Sequence, residues 1–385
     1  DIFNYASQTR VWTDLGQNPN VVPPSVLPES NWTHFSGEWV VRPSPYGPLW
    51  RWIAAPATFL AGDNLILAVV LIKITLLLLL LVAAWMVGDI VARRGGSRSS
   101  GIIAVMWSPL VLWEGIGNGH NDLAMGALLV AAIWFWQRDN QQGTIPMVVA
   151  AALVKYTVVL VGPVIALGSW LREKRSDRVR TPIWWFIDSA LIVVVGFWPF
   201  YAVRPIIDMA RSQSNITLTS PLWLVQRQLD GRWGAEDIAS IYKPAAIVLL
   251  AIVILWQLGV VLRNPDRMIG AVAATLTGYF LLASWQFRGW YLLPLMLVAA
   301  ATNEARWIFR LSIWGVCCLG AYWLYIWAVP QWSWTADNAV QAGTVLTFVP
   351  IATLVALDMV FDAIDWLRRN QAMPVPPEQL AETGD

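Results

Sequence analysis

Two short stretches concentrate groups able to hold charge or move a proton. GNGHNDLAMG, residues 117–126, places His120, one of only two histidines in 385 residues, beside Asn121 and Asp122 in a glycine-rich turn that lets backbone approach closely. An imidazole there can bind a phosphate, position an acceptor or close a turn. Asn121 and Asp122 precede an apolar run and read as the cap and first-turn acid of a helix, which accounts for the amide and the acid but not for the histidine. SWQFRGWYLLPLM, residues 284–296, sets Arg288 in a tight turn among Trp285, Phe287, Trp290 and Tyr291. A permanent cation walled by aromatic rings suits a phosphate with an apolar tail, since guanidinium forks two phosphate oxygens. The same residues also fit an interfacial aromatic belt with one snorkelling arginine.

Other charged groups fall inside or at the ends of apolar runs, where each costs about 2.5–3.5 kcal/mol at membrane depth. Lys73 lies in NLILAVVLIKITLLLLLLVAAWMV, Lys155 in ALVKYTVVLVGPV, and Glu114 just before the GNGHND turn. Asp358, Asp362 and Asp365 share one helical face and are expected to pair with nearby basic residues, and Lys73 to snorkel or find a carboxylate. The chain opens with DIFNYASQTRVW, in which Asp1 and Tyr5 are one helical turn apart.

These groups must be positioned by a membrane fold. The chain is 57% hydrophobic and 13% charged, with a mean hydropathy of +0.53, which excludes an ordinary soluble domain. Nothing in its charge suggests a nucleic-acid partner. Cys317 and Cys318 are adjacent and read as buried free thiols. Spans are expected at 64–87, 101–116, 122–136, 183–203, 243–262, 268–286, 291–301, 307–329 and 344–366. Residues 145–171, interrupted by Lys155 and by Gly162-Pro163, read as a broken helical pair of the kind tolerated when buried in protein. The fold class is therefore all-α and polytopic, with about 10–12 transmembrane or re-entrant helices. Residues 1–50 form an external loop, residues 51–366 the multi-span domain with a long external loop at 204–242, and residues 367–385 a flexible cytoplasmic tail. SPLWLVQRQLDGRW in the long loop reads as an amphipathic helix at the interface.

More than half of the 26 Lys and Arg residues sit in alternate loops around 88–100, 138–144, 172–182, 263–267 and 303–310 and at 368–369, which assigns those loops to the cytoplasm. Residues 1–50, the GNGHND turn, the 204–242 loop and Arg288 then face outward. That orientation calls for a span before Asp1, and a signal-anchor helix is favoured over a cleaved signal.

The motifs in their order, DIFNY, SPYGPLW, GHNDLAMGALLV, the broken ALVKYTVVLVGPV and FRGWYLLPL, resemble the GT-C membrane glycosyltransferases over residues 1–300 or so. The most similar branch is the bacterial polyprenyl-phosphate-sugar-dependent mannosyltransferases. The resemblance implies transfer of a hexose such as mannose from a polyprenyl-phosphate donor to a glycan or lipid acceptor at the external face of a bacterial plasma membrane. It implies Asp1 as the catalytic base and Arg288, Lys155 and His120 at the donor phosphate. Tyr5, Tyr46, Asn121, Asp122, Glu114, Trp290 and Tyr291 are the supporting or substrate-contacting residues. Many relatives of this type pair two acids where this chain shows one, so a divalent metal is left open and no metal ligand is assigned. Competing readings are a catalytically silent subunit with protein partners in a larger membrane complex, and a transporter. The transporter is disfavoured by large external loops and the lack of an internal repeat.

Overall fold

The computed structural model describes residues 1–200, 204–205, 207–208, 211, 216–229 and 231–371, with the side chains of 365–371 set aside. Expectations for the 372–385 tail, for the Asp365 side chain and for parts of 201–215 fall outside the described residues. Among the described residues the regular elements are all helices, and an isolated bridge pairs Leu218 with Gln286.

Five described helices are long and apolar enough to cross a membrane: Leu65–Arg93, Arg180–Phe197, Ala235–Arg263, Ala305–Gln331 and Ala336–Ile364. They expose large apolar side chains such as Ile66, Phe186, Leu255 and Phe361, as lipid-facing helices should. Shorter apolar helices pack inside them. Every residue of Leu293–Ala301 is buried, as is most of Asp122–Gln137, which packs against it. These inner helices, where spans were expected from sequence at 122–136 and 291–301, are shorter than the five and buried among them. The expected span at 101–116 is a broken pair, Arg98–Met106 and the π-helical turn Val111–Gly117, bent by 62°. The 268–286 span likewise changes from α-helix to a π turn at Tyr279–Ala283. Π turns of this kind recur at functional sites.

The broken 145–171 segment has its interruption at Lys155, which is extended between Gln141–Ala152 and a 3-10 turn at Tyr156–Val161. Gly162-Pro163 is a helix start rather than a break, with proline in the first turn of Gly162–Arg172, where its missing N–H costs nothing. The break leaves the carbonyls of Leu153 and Val154 free, and the amides of Leu49 and Gly47 donate to them at 3.0 and 3.1 Å. SPYGPLW is thereby stitched to the Lys155 segment, and a side chain at Gly47 would meet the Leu153 carbonyl oxygen at 2.1 Å. Gly47→Ala is expected to lower the melting temperature by an amount equivalent to about 1–3 kcal/mol, measured by thermal unfolding in detergent.

Residues 1–50 are more structured than a loop. Ile2–Leu15 is a helix with Tyr5, Ala6, Ser7, Gln8, Thr9 and Val11 buried, and it packs on Pro48–Ala61 and Leu65–Arg93. Pro221–Leu229 is helical, where the amphipathic helix was expected.

The basic turns meet one another. Asp89 holds Arg93 and Arg138 at 3.2 and 3.1 Å, Arg172 approaches Asp139 and Asp266, and Arg94 donates to the Asp266 carbonyl. Arg310 pairs with Asp358 and Arg306 with Asp362, as expected for those acids. Among the described residues Lys73 pairs with no carboxylate; its ammonium donates to the Gly117 carbonyl at 2.6 Å, closing the end of the π turn before His120. About 30 Å of helix separates Lys73 from Arg93. The GNGHND turn and the basic turns are thus at opposite ends of the bundle.

Candidate active site

At the end away from the basic turns, the candidate site residues Asp1, Tyr5, Tyr46, Glu114, His120, Asn121, Asp122, Lys155, Arg288, Trp290 and Tyr291 come together. Asp1 is the N-cap residue of Ile2–Leu15, yet its carboxylate makes no capping hydrogen bond. It turns instead toward His120, with Oδ2 lying 3.4 Å from Nδ1. On the other side of the ring, Nε2 lies 3.2 Å from Glu114 Oε2, which also accepts from Asn118 Nδ2 at 2.8 Å. The imidazole is almost wholly buried and stacks on Trp290, ring centroids 3.9 Å apart and planes 9° from parallel. His120 is therefore a link between two carboxylates rather than an exposed ligand of the cavity.

Local backbone explains why the ring is held there. Gly119 has φ of +72°, a left-handed conformation that glycine adopts freely, and a side chain on it would run into Ile2. The His120 amide donates to the Glu114 carbonyl at 3.1 Å. Burial pulls the imidazole below its ordinary pKa, opposed by the hydrogen bond and charge of Glu114.

Asn121 takes the N-cap position of Asp122–Gln137 but does not cap it with its side chain. Its Oδ1 instead accepts from Tyr5 Oη at 3.3 Å, so the amide ties the first helix to the turn. Asp122 does lie in the first turn, where the helix dipole favours an acid. It is also ion-paired, accepting from Lys155 Nζ at 2.8 and 3.0 Å. The same ammonium sits 4.0 Å from the centroid of the Tyr291 ring.

Two cavities meet at this cluster. One, of about 430 Å³, is lined by Asp1, Tyr46, Lys155, Arg288, Trp290 and Tyr291 among others. The other, of about 390 Å³, is walled mainly by apolar and aromatic groups of Ala305–Gln331 and of the helix beginning at Ala336, including Cys318, Tyr322, Tyr325, Val340 and Gly343. Arg288 and Trp290 line both, while Glu114 touches only the second. The turn bearing Arg288 is pinned from the long loop. Leu218 N donates to Trp285 O and Phe287 N to Leu218 O, each at 3.1 Å, and the Thr219 hydroxyl donates to the Phe287 carbonyl. Thr219 has φ of +44°, which a β-branched residue adopts only under constraint.

Some of the lining was not visible in sequence. Glu38 and Trp39 come from a 3-10 turn in the first fifty residues, and Tyr279 from the π turn. No motif marks them. Arg51 was also missed: it is fully buried beneath this site, with Gln8 Oε1 3.5 Å away. Burial drives the Tyr46 phenol well above its ordinary pKa, so it is a neutral hydrogen-bonding wall of the cavity. Among the described residues, no group of three His, Cys, Asp or Glu side chains is placed to hold a metal ion. Asp1 and Glu114 reach opposite nitrogens of one ring, so they do not converge on a common point.

The fold and site define an integral membrane protein with a partly buried polar cavity opening beside an apolar one. Residues 1–172 match the model of a family described as alpha-(1->6)-mannopyranosyltransferase, N-terminal domain. The chain is 26% identical over 203 residues to alpha-(1->6)-mannopyranosyltransferase A of Mycobacterium tuberculosis, an alignment covering 53% of this chain and 39% of that protein. It is 26% identical over 207 residues to the protein of the same name from Corynebacterium glutamicum, covering 51% and 42%. A probable alpha-(1->6)-mannopyranosyltransferase of Mycolicibacterium smegmatis aligns over 342 residues at 22% identity, covering 78% and 61%. The chain spans about two-fifths of the length of the first two relatives. These matches bear out the similarity of the chain to the membrane mannosyltransferase branch that its motifs resemble.

Proposed function

We propose that this chain transfers a mannosyl group from a polyprenyl-phosphate donor to a hydroxyl of a glycan or lipid acceptor at the external face of the membrane. The observation that carries the reading is the position of Arg288, where the polar and apolar cavities meet. A phosphate held by its guanidinium would have the sugar on the side of Asp1 and Lys155 and the isoprenoid chain among Tyr322, Tyr325 and Val340. A nucleotide-sugar would leave the apolar cavity without a ligand group to fill it. The printed names of the matched relatives support mannose as the sugar. The external placement is supported by the basic turns gathered at the opposite end.

In the chemistry this arrangement favours, the acceptor oxygen attacks the anomeric carbon as its proton passes to the Asp1 carboxylate. The bond from that carbon to the phosphate oxygen breaks, and its electron pair leaves with the phosphate. Lys155 and Arg288 offset the charge that develops there. Tyr46 and Tyr291 form walls against which the reactants are oriented.

The test uses the protein in nanodiscs with radiolabelled mannosyl-phosphopolyprenol and, separately, a nucleotide-mannose. Transfer is expected from the lipid donor alone. Arg288→Met is expected to raise the donor KM by roughly 10–100-fold, the value of one charged hydrogen-bonding group. Transfer from the soluble donor but not from the lipid donor would overturn the reading.

A further inference from the structure

The proposed base has an unusual neighbour, and the inference drawn from it rests on the mannosyl-transfer reading above. His120 Nε2 faces Glu114 Oε2 at 3.2 Å, and a carboxylate in that position accepts a hydrogen bond, which places the ring proton on Nε2. The other nitrogen, Nδ1, is buried with no hydrogen-bond partner, and it faces Asp1 Oδ2 at 3.4 Å. A bare nitrogen lone pair beside an ionised carboxylate oxygen is mildly repulsive. A proton between the two turns the contact into a hydrogen bond.

We propose that His120 is a positioning residue that strengthens Asp1 as a base: held as the Nε2–H tautomer by Glu114, it presents Nδ1 as an acceptor for the proton Asp1 takes from the substrate hydroxyl. Asp1 begins as carboxylate. During transfer it gains the acceptor's proton on Oδ2, and the resulting O–H donates to Nδ1. His120 stays neutral, and the proton leaves Asp1 for solvent through the cavity before the next turnover. This is the reverse of the arrangement in which an acid orients a histidine base, because here the imidazole serves the carboxylate.

Four features hold the ring in register for this role. Trp290 covers one face at 3.9 Å, the Glu114 carbonyl accepts from the His120 amide, Lys73 ties down the Gly117 carbonyl, and Gly119 permits the turn. The charged and titratable groups facing the pair come from every side. Glu114 belongs to the π turn with Cys318 of Ala305–Gln331 nearby, and Asp122 begins the following helix with Lys155 upon it. Arg288 lies behind Trp290, and Tyr46 and Tyr291 stand along the cavity. Asp122 is already neutralised by Lys155, which leaves Glu114 as the acid that fixes the imidazole.

The experiment is the pH profile of kcat/KM for mannosyl transfer by wild type, His120→Gln and Glu114→Gln, with Asp1→Asn as a reference. A base must be ionised to act, so activity falls as pH drops through the range in which the base takes up a proton. In His120→Gln the side chain can donate an N–H to Asp1 and stabilise its ionised form. The acid limb should then move to lower pH by about 1–2 units, and kcat above that limb should fall roughly 10-fold. The Glu114→Gln amide can donate to Nε2 as well as accept from it, so the Nε2–H tautomer is no longer enforced and the limb should move in the same direction as in His120→Gln by a smaller amount. An acid limb that stays in place in His120→Gln, with activity merely reduced, overturns the proposal in favour of a packing role. A limb that moves to higher pH overturns it too, since that would mean the ring is an imidazolium lowering the pKa of Asp1. If Asp1→Asn itself retains activity, the base assignment fails instead, and the two failures are distinct.

Discussion

Asp1→Asn is expected to lower mannosyl transfer by roughly 10²–10⁴-fold while leaving the protein folded. The substitution keeps the size and planarity of the side chain and removes only its ability to take a proton. Because the carboxylate makes no capping hydrogen bond to its own helix, the amide should cost the Ile2–Leu15 helix little. Its close polar neighbour is His120 Nδ1, to which an amide N–H can donate, so the change should not leave a new orphaned group there. The measurement is the initial rate with the lipid donor, read beside the melting temperature of the same preparation. The cavity has one other lining carboxylate, Glu38, which is solvent-exposed on a 3-10 turn. Glu38→Gln provides the discriminating control and should change the rate by less than about 10-fold. If Glu38→Gln removes activity and Asp1→Asn does not, the base has been assigned to the wrong acid.

The residues of the candidate site were legible in the sequence because polar groups in an apolar chain are few and costly. His120, Lys155, Glu114 and Arg288 stood out for that reason alone, and the structure brings them into one cluster. Their pairings were not legible. An acid after Asn121 reads as a helix-terminal charge, and only the folded chain brings Lys155, 33 residues away, onto it. His120 read as a cavity ligand because nothing local shows that Trp290 closes over it.

The all-α polytopic architecture was legible from composition, but the surroundings of each apolar helix were not. Hydropathy cannot separate an apolar helix that meets lipid from one that meets protein, so the burial of Asp122–Gln137 and Leu293–Ala301 inside the bundle was not readable. The π turns at Val111–Gly117 and Tyr279–Ala283 carry no compositional mark, although they supply Glu114 and Tyr279. Lys155 was the exception. A lysine within an apolar run is costly enough to mark the break where it sits.

Lys155 also supports the second large prediction, because its ammonium serves Asp122 and the cavity at once. Lys155→Met should destabilise the protein by about 3–5 kcal/mol, since it strands a carboxylate whose side chain is 1% exposed. Asp122→Asn should cost less. The lysine side chain it leaves is 15% exposed, borders the cavity and keeps the Tyr291 ring beneath it. The double variant, Lys155→Met with Asp122→Asn, removes both charges and should recover most of the lost stability, so the two changes are strongly non-additive in thermal unfolding. Donor binding should separate from stability in the same set. If Lys155 holds the phosphate, the double variant regains its melting temperature but keeps a donor KM raised by roughly 10-fold or more. A double variant that recovers both would show that Lys155 only neutralises Asp122, leaving Arg288 as the cation that holds the donor.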